Sequence, residues 1–293
     1  MKVATTIAAA ILSIAPGVAA QSASGWEAVD KVFNAAGKDL PGDVHRFGWP
    51  RTDLKVSLAG VSIEPALALG SWAAFKKTGK EDQAVTMGDL ALLGSEVDGV
   101  IQTLEAGGLE VLAVHNHLIN ETPRIVYVHF HGHGEAASLA KGVRAALEKT
   151  GTPLAPGPGV QLTAEEEKVF ESIKSVLGRK GSMAGRVLQL GVPRAGAIQD
   201  SGIEVPPGMG MANAINFQAV GGRVATTGDF VLVADEVNPV IRELNAHGIA
   251  VTALHSHMLR ETPRLFFMHF WGVDTPEKIA EGIKAALTKI ATK

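Results

Sequence analysis

One triplet of histidines occurs twice in this chain at the same spacing. His115-Asn116-His117, Glu121-Thr122-Pro123-Arg124 and His129-Phe130 return 140 residues later as His255-Ser256-His257, Glu261-Thr262-Pro263-Arg264 and His269-Phe270. Side chains on a strand alternate between faces, so His115 and His117 share a face, as do His129, His131 and His133. The connector 119–124 is short and contains Pro123, which predicts an antiparallel hairpin. With its turn centred near Thr122, His115 lies opposite His129 and His117 opposite Tyr127. Both histidine rows then fall on one face, and His115, His117 and His129 become neighbours. The other face carries Val114, Val126, Val128 and Phe130, which read as core.

Three imidazoles from adjoining strands are a transition-metal ligand set. Zinc in catalytic sites takes three protein ligands and leaves a fourth position for water. Copper and other divalent metals accept similar donors, so zinc is the first expectation and copper an alternative. Water on such an ion loses a proton near neutral pH and becomes a nucleophile. His131 and His133 are further ligands or proton shuttles on this reading. Glu121 is a candidate fourth ligand, orienting group or general base, and Arg124 is a candidate anchor for an anionic substrate group or a partner for Glu121. The competing reading of the same residues is a solvated polar sheet face or hydrogen-bonded core histidines.

The second copy keeps His255, His257 and His269 but has Trp271 and Val273 in place of His131 and His133. It is either a plain three-histidine site or a structural remnant, and the first copy is favoured as the working site. A third arrangement is a pseudo-dimer of the copies sharing one site. His45 aligns with Leu188 and reads as structural. Asp89 and Asp229 follow glycine at an expected strand start and read as turn caps. Glu96 and Glu236 begin helices, where a carboxylate suits the free N–H groups. Arg51 and Arg194 follow proline in both copies, as structural pairs or anion contacts. Met209 and Met211 align with Leu67 and Leu69 and read as core. No phosphate loop, dinucleotide fingerprint or nucleophile elbow is present.

The elements that must carry these residues divide the chain into a leader (1–20), a first unit (21–150), a Pro/Gly-rich linker (151–161) and a second unit (162–293). Each unit reads as α+β, with a mostly antiparallel sheet, the histidine hairpin and packed helices. Helices are expected over 26–36, 97–104, 135–149 and 164–177. Strands are expected near 55–61, 71–75, 89–93, 109–118 and 125–131. Among 293 residues, 46% are hydrophobic and 19% charged, enough for substantial cores. A net charge of −3 argues against a nucleic-acid partner. No cysteine is present, which excludes disulfides and thiolate ligands. Lys2, the apolar run Val3–Ile14 and Val18-Ala19-Ala20 read as a signal peptide, predicting a periplasmic or secreted protein without a membrane span.

The segments Pro50-Arg51-Thr52-Asp53-Leu54-Lys55-Val56, Gly70-Ser71-Trp72-Ala73-Ala74-Phe75, Gly88-Asp89-Leu90 and the hairpin His115-Asn116-His117 through His129-Phe130-His131-Gly132-His133 resemble the LppY/LpqO family. The resemblance covers nearly the whole chain after the leader. It implies an exported protein built on a domain of unknown function; the chain's lack of cysteine departs from the family's lipoprotein members. The expected function is an exported metal-binding protein acting on a small molecule, as a zinc-dependent hydrolase or hydratase. The alternatives are a non-catalytic copper or zinc scavenger or chaperone, and an envelope protein whose histidines line a polar groove.

Overall fold

The computed structural model describes residues 25–155, 157 and 159–293; the leader read from the sequence lies outside them. The first unit runs α1 (Glu27–Phe33), β1 (Lys38–Leu40), β2 (Val44–Pro50), β3 (Ser57–Leu58), β4 (Val61–Ser62), α2 (Pro65–Ala68), β5 (Gly70–Lys77), β6 (Gln83–Leu93), α3 (Val97–Ala106), β7 (Glu110–His115), β8 (Ile125–Glu135) and α4 (Ala136–Leu147). The second runs α5 (Ala164–Leu177), β9 (Ser182–Ala184), β10 (Val187–Pro193), β11 (Gln199–Asp200), β12 (Ile203–Glu204), a 3-10 turn (Pro207–Met209), β13 (Ala212–Val220), β14 (Arg223–Leu232), α6 (Ala234–Ala246), β15 (Ala250–His255), β16 (Glu261–Thr262), β17 (Phe266–Asp274) and α7 (Pro276–Leu287).

Each unit folds around a six-stranded antiparallel sheet, in the order β1-β2-β5-β6-β8-β7 and, matching it, β9-β10-β13-β14-β17-β15. The duplicated α+β organisation expected from the repeat is the one observed. The expected strand 55–61 is instead a tight hairpin, β3–β4, because Gly60 takes a left-handed conformation (φ 80°).

Period-two alternation sorts each strand between two buried faces. On β6, Ala84, Leu90 and Leu92 pack with α1, α3 and α4, where Phe33, Leu104 and Val143 complete a core. Val85 and Met87 point the other way, into a core shared with Met209, Met211, Val231 and Phe267 of the second unit. The two sheets therefore face each other, with helices on the outside. That explains why β6 is buried along nearly its whole length, unlike a strand with a wet face.

Hydrogen bonds cross between the units. Asn216 and Gln189 donate to the carbonyls of Leu67 and Ala66 at 2.8 and 2.9 Å, and Gln218 donates to that of Ser62 at 2.8 Å. The Thr252 hydroxyl donates to the His117 carbonyl at 2.5 Å. Among the described residues no helix is long and apolar enough to cross a membrane.

Candidate metal centre

The hairpin β7–β8 forms as the connector predicts, but its register is shifted by two residues. His115 pairs with Tyr127 and Ala113 with His129, with an irregularity between Val111 and Ala113. A shift of two preserves the facing of every side chain, so the three histidines still share a face. Because β7 is an edge strand, Val114 is 50% exposed rather than core; Val128 and Phe130 are fully buried as expected.

That face looks across at its counterpart on β15–β17, and six imidazoles meet between the sheets. His115 and His255 stack with ring centroids 3.7 Å apart. His117 stacks on His269 at 3.8 Å and His257 on His129 at 3.7 Å, the same contact repeated by a pseudo-two-fold axis. Donor atoms of His115, His117 and His129 lie within 4.8 Å of one another, and so do those of His115, His255, His257 and His269. Of the three arrangements open at the sequence level, the two copies form the shared cluster.

Two aspartates complete it. Asp89 sits in mid-β6, beside His129 in register, with an oxygen 3.5 Å from His129 Nε2 and 3.7 Å from His117 Nε2. Asp229 on β14 lies 3.9 Å from both His257 and His269. The turn-cap reading of these residues is wrong, because β6 and β14 begin well before them. The preceding glycine serves the opposite face: a Cβ on Gly88 or Gly228 would run into the ring of Phe130 or Phe270. The Gly-Asp pair thus packs a ring on one side and aims a carboxyl at the cluster on the other.

Burial sets the protonation. Desolvation, the largest cause, lowers His115 to about 4 and His255 to about 3, and pushes His117, His129, His257 and His269 well below the ordinary value. The rings are therefore neutral at neutral pH and have lone pairs to offer. Burial raises Asp89 to about 8, against the opposing pull of Arg46, and raises Asp229 well above the carboxylate range. His269 Nδ1 donates to the Gly228 carbonyl at 3.0 Å and His115 Nδ1 to that of Asn116 at 3.2 Å, which leaves Nε2 of each ring as the ligand atom.

Among the described residues, ten buried side-chain nitrogen and oxygen atoms lack a hydrogen-bond partner, and nine belong to this cluster: seven ring nitrogens, Asp89 Oδ1 and Asp229 Oδ1. Buried polar atoms are seldom left so, and a concentration of them calls for an ion or water. Ligands on a tetrahedral ion at 2.0–2.1 Å stand about 3.3 Å apart, so donors within 4.8 Å need only modest closure. The donor set fits a transition metal.

Residues 27–149 and 171–289 both match the family described as Domain of Unknown Function (DUF1259). The chain belongs to that family. No match is found among curated proteins. The solved structures that are similar include a trimeric bacterial microcompartment shell protein, PduB, at 13% identity over 87% of this chain and 89% of that one, with a TM-score of 0.22. A fused, permuted hexameric shell protein from the RMM microcompartment shows 14% identity over 71% and 84%, with a TM-score of 0.19. Likeness at that level supports no argument about this chain.

Other residues singled out in the DUF1259 units lie apart from the cluster. His131 faces the same way as His129 but sits further along β8, 3.9 Å from Asp200; His133 is exposed beyond it. Glu121 is buried in the hairpin loop, accepting from the Ile125 N–H at 3.1 Å, and its pseudo-equivalent Glu261 accepts from Leu265 N–H and Arg264. Both carboxylates clamp their loops. Arg124 is exposed. His45 is held by Asp30 and Asp39 under the Trp26 ring. Arg51 pairs with Glu96 and Asp53, and Arg194 with Glu236, so these conserve structure within each unit. Met209 and Met211 are core.

A cavity of about 650 Å³ opens between the units onto Asp89, His117, His129 and their counterparts Asp229, His257 and His269. Sequence reasoning set the aspartates aside. Their signal was the constant offset that also carries the histidines.

Proposed function

We propose that this chain binds a transition metal, zinc in the first instance, at the six-histidine, two-aspartate cluster between its DUF1259 units, and uses it to hydrolyse or hydrate a small molecule. The observation that carries this reading is the convergence of nine buried, unpartnered donor atoms from both units. An ion bound there would supply acidified water at neutral pH. The neutral imidazoles would hold the ion. A bound ion would ionise Asp89, which lies on the cavity wall beside His129 and His117, and its carboxylate would then be placed to accept a proton from that water. Glu121 and Arg124, the acid–base and anchoring candidates from the sequence, do not line that cavity. A cavity of this size admits a small organic substrate.

Eight donors exceed what one catalytic ion needs, and this favours a second reading: a non-catalytic copper or zinc scavenger or chaperone. Lys2, Val3–Ile14 and Val18-Ala19-Ala20 support export to a periplasm or the exterior. The residues quoted above support placement in the LppY/LpqO group.

The test is elemental analysis of untagged protein after incubation with zinc and removal of the excess. Metal is expected in the wild type and lost in a His129→Ala/His269→Ala double variant whose circular dichroism is unchanged. A folded wild type without metal, or a double variant with undiminished metal, overturns the site. Zinc-dependent hydrolysis of p-nitrophenyl acetate is expected of the enzyme; bound metal without turnover supports the scavenger.

A further inference from the structure

The pseudo-symmetry of the cavity breaks in charge at Arg46. Arg46 and Trp72 line its first-unit side, where the second unit has Gln189 and Ala214 at the equivalent register positions. The Arg46 guanidinium lies 4.0 Å over the Trp72 ring, and Nη1 donates to the Gly208 carbonyl of the other unit at 2.8 Å. Among the described residues that is its one hydrogen bond, and Asp89, the carboxyl whose charge acts on it, makes no ion pair with it. A charged group removed from water is ordinarily paired. This one faces a cavity with its remaining donors unspent, although Trp72 and Gly208 hold it in place.

We propose that Arg46 is the anion-binding subsite of this cavity, and that it receives the carboxylate of a small organic acid whose apolar body lies against Trp72, Met87, Met209 and Met211. The planar fork of donors matches a carboxylate, and the four residues line the same cavity. Asp89 lies on the same wall, so a molecule anchored at Arg46 projects toward the histidine cluster. This rests on the metal reading for its chemistry, but the subsite itself is built from residues outside the cluster. The asymmetry gives one orientation of substrate across an otherwise two-fold centre.

Benzoate is the probe, with benzyl alcohol as its neutral counterpart, titrated calorimetrically into metal-free and zinc-loaded protein. Wild type is expected to bind benzoate in both forms and to prefer it over benzyl alcohol. Arg46→Gln, which copies Gln189, is expected to weaken benzoate about tenfold or more, as loss of a charged hydrogen bond does, with benzyl alcohol unaffected. Arg46→Lys keeps the charge and is expected to retain most of the benzoate affinity. Undetectable benzoate binding by the wild type, or equal affinity in Arg46→Gln, overturns the subsite. Arg46-dependent binding in a protein that takes up no zinc keeps the subsite and removes the metal reading.

Discussion

His115 and His255, 140 residues apart in the chain, stack their imidazoles at 3.7 Å across the pseudo-two-fold axis that relates the two units. Neither unit alone can build that contact. His115 belongs to both donor groups, one with its own unit's His117 and His129 and one with His255, His257 and His269.

Equivalence across the axis is therefore open to test. His115→Ala and His255→Ala are expected to lower zinc affinity by comparable factors, and the double variant by less than their product, because residues sharing one ligand are non-additive. Calorimetry on the four proteins measures this. A His255→Ala variant binding zinc like the wild type would return the site to the first unit alone.

The pH dependence of metal-free stability follows from two opposed sets of shifts. The six histidines have folded values below the ordinary 6.5, about 4 for His115 and about 3 for His255. Between 6.5 and about 4 the unfolded chain binds more protons, so stability falls with falling pH. Asp89 has a folded value raised from 3.8 to about 8, and Asp229 is also raised well above 3.8. The Asp89 contribution is complete below 3.8 and is lost as pH rises through about 8, and Asp229 acts in the same direction. Six groups outweigh two on the acid side, and only the aspartates act above 6.5. Melting temperature in chelator is expected to peak near pH 6.5–7 and decline toward pH 8. A melting temperature still rising between pH 7 and 8 would contradict the buried neutral carboxyls.

Much of this site was legible because side-chain facing on a strand depends on parity. A hairpin register misjudged by two residues still put His115, His117 and His129 on one face. The facing of His131 was also readable, but not its distance, since each pair of residues along a strand adds about 7 Å. The contribution of Asp89 was hidden by misplacing the start of β6: a strand buried on both faces shows a continuous apolar run, and its polar residue reads as an edge. Whether the units met face to face was not legible, because that depends on long-range packing of Met87, Met211 and Phe267.

Gly88 and Gly228 each press against a phenylalanine ring and a carbonyl of the neighbouring strand. Gly88→Ala and Gly228→Ala are each expected to cost about 1–3 kcal/mol in denaturant unfolding, as overpacking does. Each is also expected to weaken zinc, since the following aspartate moves with its strand. Unchanged midpoints would show that Phe130 and Phe270 relax freely.

The buried arginines give a contrast between units. Arg51 has two carboxylates, Glu96 and Asp53, whereas Arg194 has Glu236. Glu236 also accepts from Val233 and Ala291 N–H. Glu236→Ala leaves a buried cation unpaired and is expected to cost about 3–5 kcal/mol. Glu96→Ala is expected to cost less, because Asp53 stays with Arg51. Equal losses would mean that the backbone bonds of the two glutamates, not the ion pairs, set the cost.

Metal binding at a site with protonated aspartates must release protons. Asp89, at about 8, is mostly neutral at pH 7. A cation beside it inverts the balance that burial set up, so the carboxyl ionises as the ion enters. The histidines are already neutral at that pH and release nothing. Zinc titrations in buffers of different ionisation enthalpy are therefore expected to show proton release at pH 7, reduced by up to one proton in Asp89→Asn. Release that is the same in Asp89→Asn and wild type would place the ion away from Asp89, with Asp229 as the source of the proton.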